Sequence, residues 1–498
     1  MLQVKNISLH LKENDRPLLS DFSFFLERGD KAAIIGEEGN GKSTLLRLMY
    51  DGNVPYAEVT GAIVRKGNFG YLPQMMPAEE QALTPTQYLE DVPLYERYEL
   101  LEELGLSDEL ISSERPISTL SGGEKIKLQL LKILLSGADT LFLDEPTGDL
   151  DIPSLCFLQE FIRNTSLPVV YISHDETLLS ETATVIIHME QIHKKSVCRA
   201  TIANLTYREY VEARNLQFDR QTQLANKAQT EHKKKFQRWQ QVFEKVQHAQ
   251  KTVSRGNPHG GQLLKKKMHS LLAQKRKLDN EELPEDPDRE ECILTRFDQN
   301  CCIPVQKRVL EFSLPLLQAG GKTLSHDIEL SVIGARRVCI VGANGAGKST
   351  LLRKIYASLK DRTDITVGYM PQDYGEVLNP AQTPNEYFGA HYDKATMTRA
   401  MTYMGNMKFT ADEMRRPIGT LSGGQRAKII FLGMVLNNAN VLLLDEPTRN
   451  FSPLSCPVVR RALTEFRGAV ISVSHDRLFL EEVAEDIYLL DENGLKLL

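Results

Sequence analysis

The residues Gly36-Glu-Glu-Gly39-Asn-Gly41-Lys42-Ser43-Thr44 have the spacing of a loop that wraps a phosphate. Glycines at those positions let backbone N–H groups approach an anion, and the helix that follows presents the positive end of its dipole. The same spacing returns at Gly342-Ala-Asn-Gly345-Ala-Gly347-Lys348-Ser349-Thr350. Lys42 and Lys348 are then placed to reach β- and γ-phosphates, and the hydroxyls of Ser43 and Ser349 suit a magnesium ion. The chemistry implied is binding and hydrolysis of a nucleoside triphosphate, done twice.

Carboxylates complete that chemistry. Asp144 and Asp445 each end an apolar run, where a carboxylate can hold Mg2+ directly or through water. Glu145 and Glu446 follow at once and can polarise an attacking water. His174 and His475, each in a Ser-His-Asp triplet, are candidates to hydrogen-bond a γ-phosphate. Gln74 in Tyr-Leu-Pro-Gln and Gln372 in Tyr-Met-Pro-Gln are candidates to sense Mg2+ and the water. Taken alone, a carboxylate at a strand end is a solvated terminus and a lone His is a structural one. Register argues otherwise: Glu145 precedes His174 by 29 residues and Glu446 precedes His475 by 29. Leu120-Ser121-Gly122-Gly123 lies 24 residues before Glu145, counted from Ser121, and Leu421-Ser422-Gly423-Gly424 keeps that distance from Glu446. Four motifs repeated at matched spacing mark an internal duplication.

Positioning such residues takes buried strands. Lys31-Ala-Ala-Ile-Ile, Thr140-Leu-Phe-Leu and Val169-Val-Tyr-Ile read as parallel strands covered on both faces, as do Val338-Cys-Ile-Val, Val441-Leu-Leu-Leu and Ala469-Val-Ile-Ser-Val. Helical segments separate them, so each copy is an α/β domain. The copies are expected over residues 1–195 and 300–498, joined by a linker over 196–299.

That linker has another character. From Tyr207 to Gln250 it is polar, lacks Gly and Pro, and predicts one long helix with Phe236, Trp239, Phe243 and Val246 as a heptad-like seam. Ser254-Arg-Gly-Asn-Pro-His-Gly-Gly261 predicts a break, and a second helix carries Leu264, Met268, Leu271 and Leu278 on one side. The pair is an antiparallel hairpin in expectation, with its tip at about 253–262 and a seam that weakens around Gln229 to Lys235. Glu281 to Glu291 reads as an acidic, proline-bearing connector. Between Tyr207 and Glu282 stand 17 Lys or Arg against 8 Asp or Glu, a balance of +9 in a chain whose net charge is -6. A basic middle in an acidic protein points to a polyanionic partner. Lys233, Lys234, Lys235, Arg238, Arg255, His259, Lys265, Lys266 and Lys267 are the candidate RNA contacts. The plainer alternative is a solvated coiled coil whose lysines keep it soluble.

Bulk properties narrow the class. No run approaches the roughly 20 apolar residues of a membrane helix, and the first residues do not read as a signal peptide. The odd count of 7 cysteines and the lack of any Cys-x-x-Cys argue against a disulfide framework or structural zinc. A cytoplasmic location is expected.

Leu-Ser-Gly-Gly resembles the signature motif of ATP-binding cassette proteins, and the motif set covers both copies. The resemblance implies two tandem P-loop cassettes paired head to tail as an intramolecular pair, in a monomer. ATP on Lys42 would be capped by Ser422, Gly423 and Gly424, and ATP on Lys348 by Ser121, Gly122 and Gly123. Thr147-Gly-Asp-Leu-Asp151 matches the Asp-bearing loop that usually follows the catalytic Glu. Thr448-Arg-Asn-Phe-Ser-Pro453 has no matching Asp, so the two sites are expected to be unequal. No adenine-stacking aromatic is evident near His10 and Leu11. Soluble tandem cassettes with a basic helical linker resemble the ABC-F family. Leu205-Thr-Tyr-Arg-Glu-Tyr-Val-Glu-Ala-Arg214 resembles that family's linker entry, and Thr448 to Ser455 resembles its antibiotic-resistance branch. Only 31 positions separate Ser43 from Gln74, so the arm inserted in some members is not expected. The family implies the bacterial ribosome as partner: its exit-site region, large-subunit rRNA and transfer RNA. It also implies displacement of large-subunit antibiotics by the ATP-closed form. A housekeeping translation factor of the same family, and a fused ATPase pair energising a membrane transporter, stay open as alternatives.

Overall fold

The run Lys31–Gly36 is a strand buried at every residue, as a strand covered on both faces must be. It lies in a six-stranded sheet whose order is Phe69–Leu72, Thr140–Asp144, Val169–Ile172, Lys31–Gly36, Val185–Ile192, Val197–Ala203. All neighbours are parallel except the last pair. The second copy repeats the order with Val367–Met370, Val441–Asp445, Ala469–Val473, Arg337–Val341, Asp486–Asp491 and Gly494–Leu497. In each sheet one strand separates the phosphate-loop strand from the strand ending in Asp144 or Asp445. Parallel direction brings their carboxyl ends to one edge, where ligands of such sheets bind. The six apolar runs expected to be strands all lie in these sheets.

This computed structural model describes residues 1–12, 16–93, 99–148, 150–192, 197–252, 258–281 and 301–498. The chain forms two compact units: Met1–Arg208 with Glu290–Leu498, and Glu209–Arg289. Within the first unit each cassette adds antiparallel strands that the motifs did not announce. Leu2–Leu11 pairs with Arg16–Leu26 and with Ala57–Arg65, and Arg308–Ala319 pairs with Lys322–Ile333. Their inward residues and one face of each parallel sheet close over the helix after the phosphate loop, Lys42–Asp51 or Lys348–Leu359.

In the second unit, helix Tyr207–Thr252 and helix Pro258–Asp279 form the hairpin. The antiparallel register is set by three contacts. Trp239 Nε1 donates to the Leu271 carbonyl at 2.8 Å, His232 Nε2 meets the Leu278 carbonyl at 3.0 Å, and Lys235 pairs with Glu281 at 2.6 Å. Val246 and Leu271 are buried and Phe236, Trp239 and Phe243 are half-buried. Trp239 stacks against Phe243 at 4.9 Å, and the Lys275 ammonium lies 5.6 Å from the Trp239 ring. The seam thins from Gln229 to Lys235 as expected: His232 alone is half-buried there, against the Leu278 carbonyl. One expectation is corrected. The break is shorter than Ser254 to Gly261, because Pro258 opens the second helix. A proline fits a first helical position, whose N–H has no partner to lose. Tip residues 253–257, Arg255 among them, lie outside the described residues, as do the side chain of His259, the connector beyond Glu281 and the expected boundaries at 196 and 299.

Candidate functional site: two facing phosphate loops

Each phosphate loop begins where a side chain would collide. A Cβ on Gly36 would sit 2.3 Å from the Met189 carbonyl oxygen, and one on Gly342 2.6 Å from that of Leu490. Both glycines have φ in the region open to glycine, 148° and 155°. Lys42 Nζ, buried, donates to the carbonyls of Gly36 at 2.9 Å and Glu37 at 3.2 Å. Lys348 Nζ does the same to Gly342 at 2.8 Å and Ala343 at 2.9 Å. Burial holds both ammonium groups below their ordinary pKa, against the nearby carboxylates.

The Ser43 hydroxyl donates to Asp144 Oδ1 at 2.8 Å, and Tyr71 donates to Oδ2 at 2.9 Å. Asp144 is 1% exposed and Asp445 3%. Burial raises both carboxyls above the usual range, opposed by the hydroxyls of Ser43 and Ser349. The donors fit a hard divalent cation: the Ser43 hydroxyl and the Asp144 carboxylate lie together, and Gln74, a further oxygen donor, lines the same cavity as Ser43. Among the described residues no cluster of His, Cys, Asp and Glu would hold a metal by itself.

Glu145 and Glu446 both stand in left-handed backbone, φ 49° and 50°. For a residue with a Cβ this costs about 1 kcal/mol or more. It turns the chain off the strand end and sends each carboxylate to the cavity. Gln74 Nε2 donates to Glu145 Oε2 at 2.7 Å, and His174 Nε2 lies 3.4 Å from Oε1. Burial pushes the Glu145 carboxyl up, but the His174 hydrogen bond and the Lys42 and Arg449 cations outweigh it, and it sits below its ordinary value. Glu446 differs. Burial, then Asp445, pushes it up to about 7, and its hydrogen bond comes from the His475 backbone N–H at 3.4 Å. Burial and then Lys348 push the His475 imidazole down to about 4. Both its ring nitrogens are buried with no hydrogen-bond partner among the described residues.

The two cassettes meet head to tail. Ser121 and Ser422 cap helices Gly122–Leu135 and Gly423–Leu436, each through a capping box. Gly424 N–H donates to Glu38 Oε2 of the opposite phosphate loop at 2.8 Å, and Lys428 lies 3.6 Å from Glu37. Across the other pair, Gly122 and Lys125 line the same cavity as Lys348, Ser349 and Thr350. That cavity, about 1090 Å3, also takes in Gly39, Gly41, Thr44, Gln74, Gly345, Gly347, Gln372, Glu145 and Glu446. Its apolar lining includes Leu11 and Leu18 on one side and Ala319 and Leu324 on the other, all four aliphatic. Sequence reasoning also missed Phe451, whose carbonyl accepts from His174 Nδ1 at 2.7 Å across the cassettes, and Glu38. The two acidic residues of Gly36-Glu-Glu were the visible signal, since the second loop has Ala343 and Asn344 there.

Two phosphate loops facing opposed signature helices over one cavity define a tandem-cassette ATPase. The chain belongs to the ABC transporter family, whose profile matches residues 19–148 and 325–449. Its relatives are of the F type. It is 29% identical over its whole length to the ribosome protection protein VmlR of Bacillus subtilis (strain 168), spanning 88% of that protein. It is 26% identical to ABC transporter F family member 2 of Arabidopsis thaliana, over 96% of this chain and 75% of that one. It is 25% identical to the putative ATP-binding protein YdiF of Bacillus subtilis (strain 168), over 100% and 81%. Among solved structures, an archaeal ribosome recycling factor in complex with a ribosomal stalk protein matches with a TM-score of 0.61 at 16% identity, covering 98% of this chain and 89% of that one. The RNase-L inhibitor matches with 0.57 at 18%, covering 99% and 90%. At such identities these two speak for the fold alone. Among the described residues no helix is long and apolar enough to cross a membrane.

Proposed function

We propose that this chain is a ribosome-acting ATPase that works in the cytoplasm as a monomer and, closed on ATP, displaces antibiotics from the large subunit. Two ATP molecules are bound. One lies on Gly36, Gly39, Gly41, Lys42, Ser43 and Thr44, capped by Ser422, Gly423 and Gly424. The other lies on Gly342, Gly345, Gly347, Lys348, Ser349 and Thr350, capped by Ser121, Gly122 and Gly123. Ser43, Asp144 and Gln74, and in the second site Ser349, Asp445 and Gln372, hold Mg2+, which when bound neutralises phosphate charge and orients the phosphates.

At the first site Glu145 is ionised and accepts the proton of the attacking water, with Gln74 fixing its far oxygen. A backbone carbonyl can only accept, so the bond to Phe451 places a proton on His174 Nδ1. Nε2 is then the nitrogen that faces Glu145 and the γ-phosphate. At the second site Glu446 and His475 take the same parts with weaker support. ATP joins the cassettes, the closed pair fits the ribosome's exit-site region, and hydrolysis releases it. The lysine-rich hairpin contacts rRNA or transfer RNA near the peptidyl-transferase centre, with Lys233, Lys234, Lys235, Arg238, Lys265, Lys266 and Lys267 meeting phosphates. Arg255 and His259 at its tip join them.

One observation carries the reading: likeness to a ribosome protection protein runs through the whole chain, basic hairpin included. The test is pelleting. Glu145→Gln,Glu446→Gln protein is expected to sediment with bacterial ribosomes in ATP and not in ADP; its absence from the pellet removes the ribosome from the reading. The similar identity to ATP-binding proteins whose names carry no drug role favours a second reading, a housekeeping translation factor. A sensitive host expressing the chain separates the two: unchanged drug susceptibility, with sedimentation intact, leaves the housekeeping role.

A further inference from the structure

The duplication gives each residue near the hydrolytic glutamates a counterpart, since Glu145 and Glu446 align at an offset that also pairs His174 with His475. By that offset Glu176 corresponds to Arg477, Gln159 to Arg460, and Leu150 to Phe451. A symmetric pair would make the same cross-cassette contact twice. Among the described residues it is made once.

On one side Arg460 of the second cassette, 2% exposed, forks onto both carboxylate oxygens of Glu176 in the first, with Nη2 to Oε2 at 3.3 Å. Its Nε donates to Glu482 at 2.8 Å, and Asp476 lies 3.9 Å from Nη1. Glu176 stands two residues after His174, at the start of helix Glu176–Thr182. Phe451, nine residues before Arg460, accepts from His174 itself. On the other side Arg477 Nε and Nη2 and Gln159 Oε1 are buried with no hydrogen-bond partner among the described residues. Arg477 meets Asp175 only at 4.0 Å and Cys156 Sγ at 3.8 Å. His475 shares that want of partners.

Arg460 and Glu176 are opposite charges where Gln159 and Arg477 are not, and the backbone differs as well. In the first cassette Asp151 caps helix Ile152–Asn164 through its side chain. In the second, Ser452 takes the place of Asp151, Pro453 that of Ile152, and the helix begins only at Cys456. Ser452 Oγ lies 2.8 Å from Ser455 Oγ, and the Phe451 carbonyl accepts from His174 Nδ1 at 2.7 Å and from Cys456 Sγ at 3.9 Å.

We infer that Arg460 is a positioning residue for the first ATP site, holding the His174 loop through Glu176, so that the cassettes are pinned beside that site and part beside the other. This rests on His174 and Glu145 as the hydrolytic pair of the first site. The bidentate pair fixes the start of the helix that follows His174, and misplacing a catalytic group by about 1 Å can cost some 100-fold in rate.

The test uses the full chain and reads each site alone: the first in a Glu446→Gln background, the second in Glu145→Gln. Arg460→Gln copies the first cassette's Gln159, Glu176→Gln keeps shape and loses charge, and Arg460→Lys keeps charge without the fork. Arg460→Gln and Glu176→Gln are expected to lower first-site kcat about 10-fold or more, with KM for ATP and second-site kcat changed less than about 2-fold. Arg460→Lys restores part of the loss. If Arg460→Gln does not fold, the isosteric Glu176→Gln decides alone. Equal losses at both sites, or none at the first, overturn the inference. His174→Ala in the same background separates the premise: full first-site turnover there defeats the reading of His174, whereas a dead His174→Ala beside an unaffected Glu176→Gln defeats only the role of Arg460.

Discussion

The two ATP sites share a motif set and a cavity, yet one is assembled and the other is not. At the first, Glu145 is bonded by Gln74 and faced by His174, and His174 is held by Phe451. At the second, Glu446 is raised to about 7 and the His475 ring nitrogens have no hydrogen-bond partner among the described residues. Gln, Glu and His are the same at both sites, so the difference comes from what surrounds them, the divergent segments after the two glutamates included. The same Glu and His do not make equal sites when the groups that hold them come from opposite cassettes that have diverged.

The largest effect should come from removing each base. Glu145→Gln is expected to lower steady-state ATPase turnover about 10-fold and Glu446→Gln less than about 2-fold at pH 8, because loss of a positioned base costs 100-fold or more at its own site. Near-equal losses in the two single mutants would break the comparison. A pH series sharpens it. A base must be ionised to take a proton, and Glu446, raised to about 7, protonates as pH falls through that value. Second-site turnover in Glu145→Gln should then fall about 10-fold per unit below pH 7. Glu145 is lowered, so first-site turnover in Glu446→Gln should stay level there. Parallel profiles would show that the two bases share one environment.

A smaller effect belongs to Glu38, whose carboxylate takes the Gly424 N–H that a γ-phosphate would need. Glu38→Asn installs the residue that the second loop has at Asn344. It should lower KM for ATP at the first site by about 3- to 10-fold, the worth of one charge-assisted hydrogen bond no longer competing. A raised KM would mean that Glu38 helps nucleotide bind. Smallest is the cap. Asp151→Ala should cost about 1 kcal/mol in denaturant unfolding through the lost cap, and Ser452→Ala about as much by another route, the buried Ser455 hydroxyl it leaves behind.

Strands and phosphate loops were legible because their signals are local: a buried apolar run, a glycine where a Cβ cannot fit, a Ser three residues before its capping partner. The antiparallel strands were less so. Leu2–Leu11 carries its alternation through register shifts at Val4, Ile7 and Leu9, which blur a period of two. Site features built from distant parts of the chain left little trace. Phe451 acts through a carbonyl, which every residue has, and Arg460 reads as one more charge until Glu176 is found against it. His232 hid a seam position because it is polar and its partner is the backbone of Leu278.

The hairpin holds one more consequence. Trp239 is the sole tryptophan of the 498 residues, and it sits in the seam with its indole N–H on the Leu271 carbonyl. Light excited at the red edge of protein absorption therefore reports from the hairpin alone. Unlabelled protein carries its own lamp: nucleotide bound between the cassettes stays dark unless the event travels along the chain to Trp239, so a change in emission on adding ATP would itself measure the coupling.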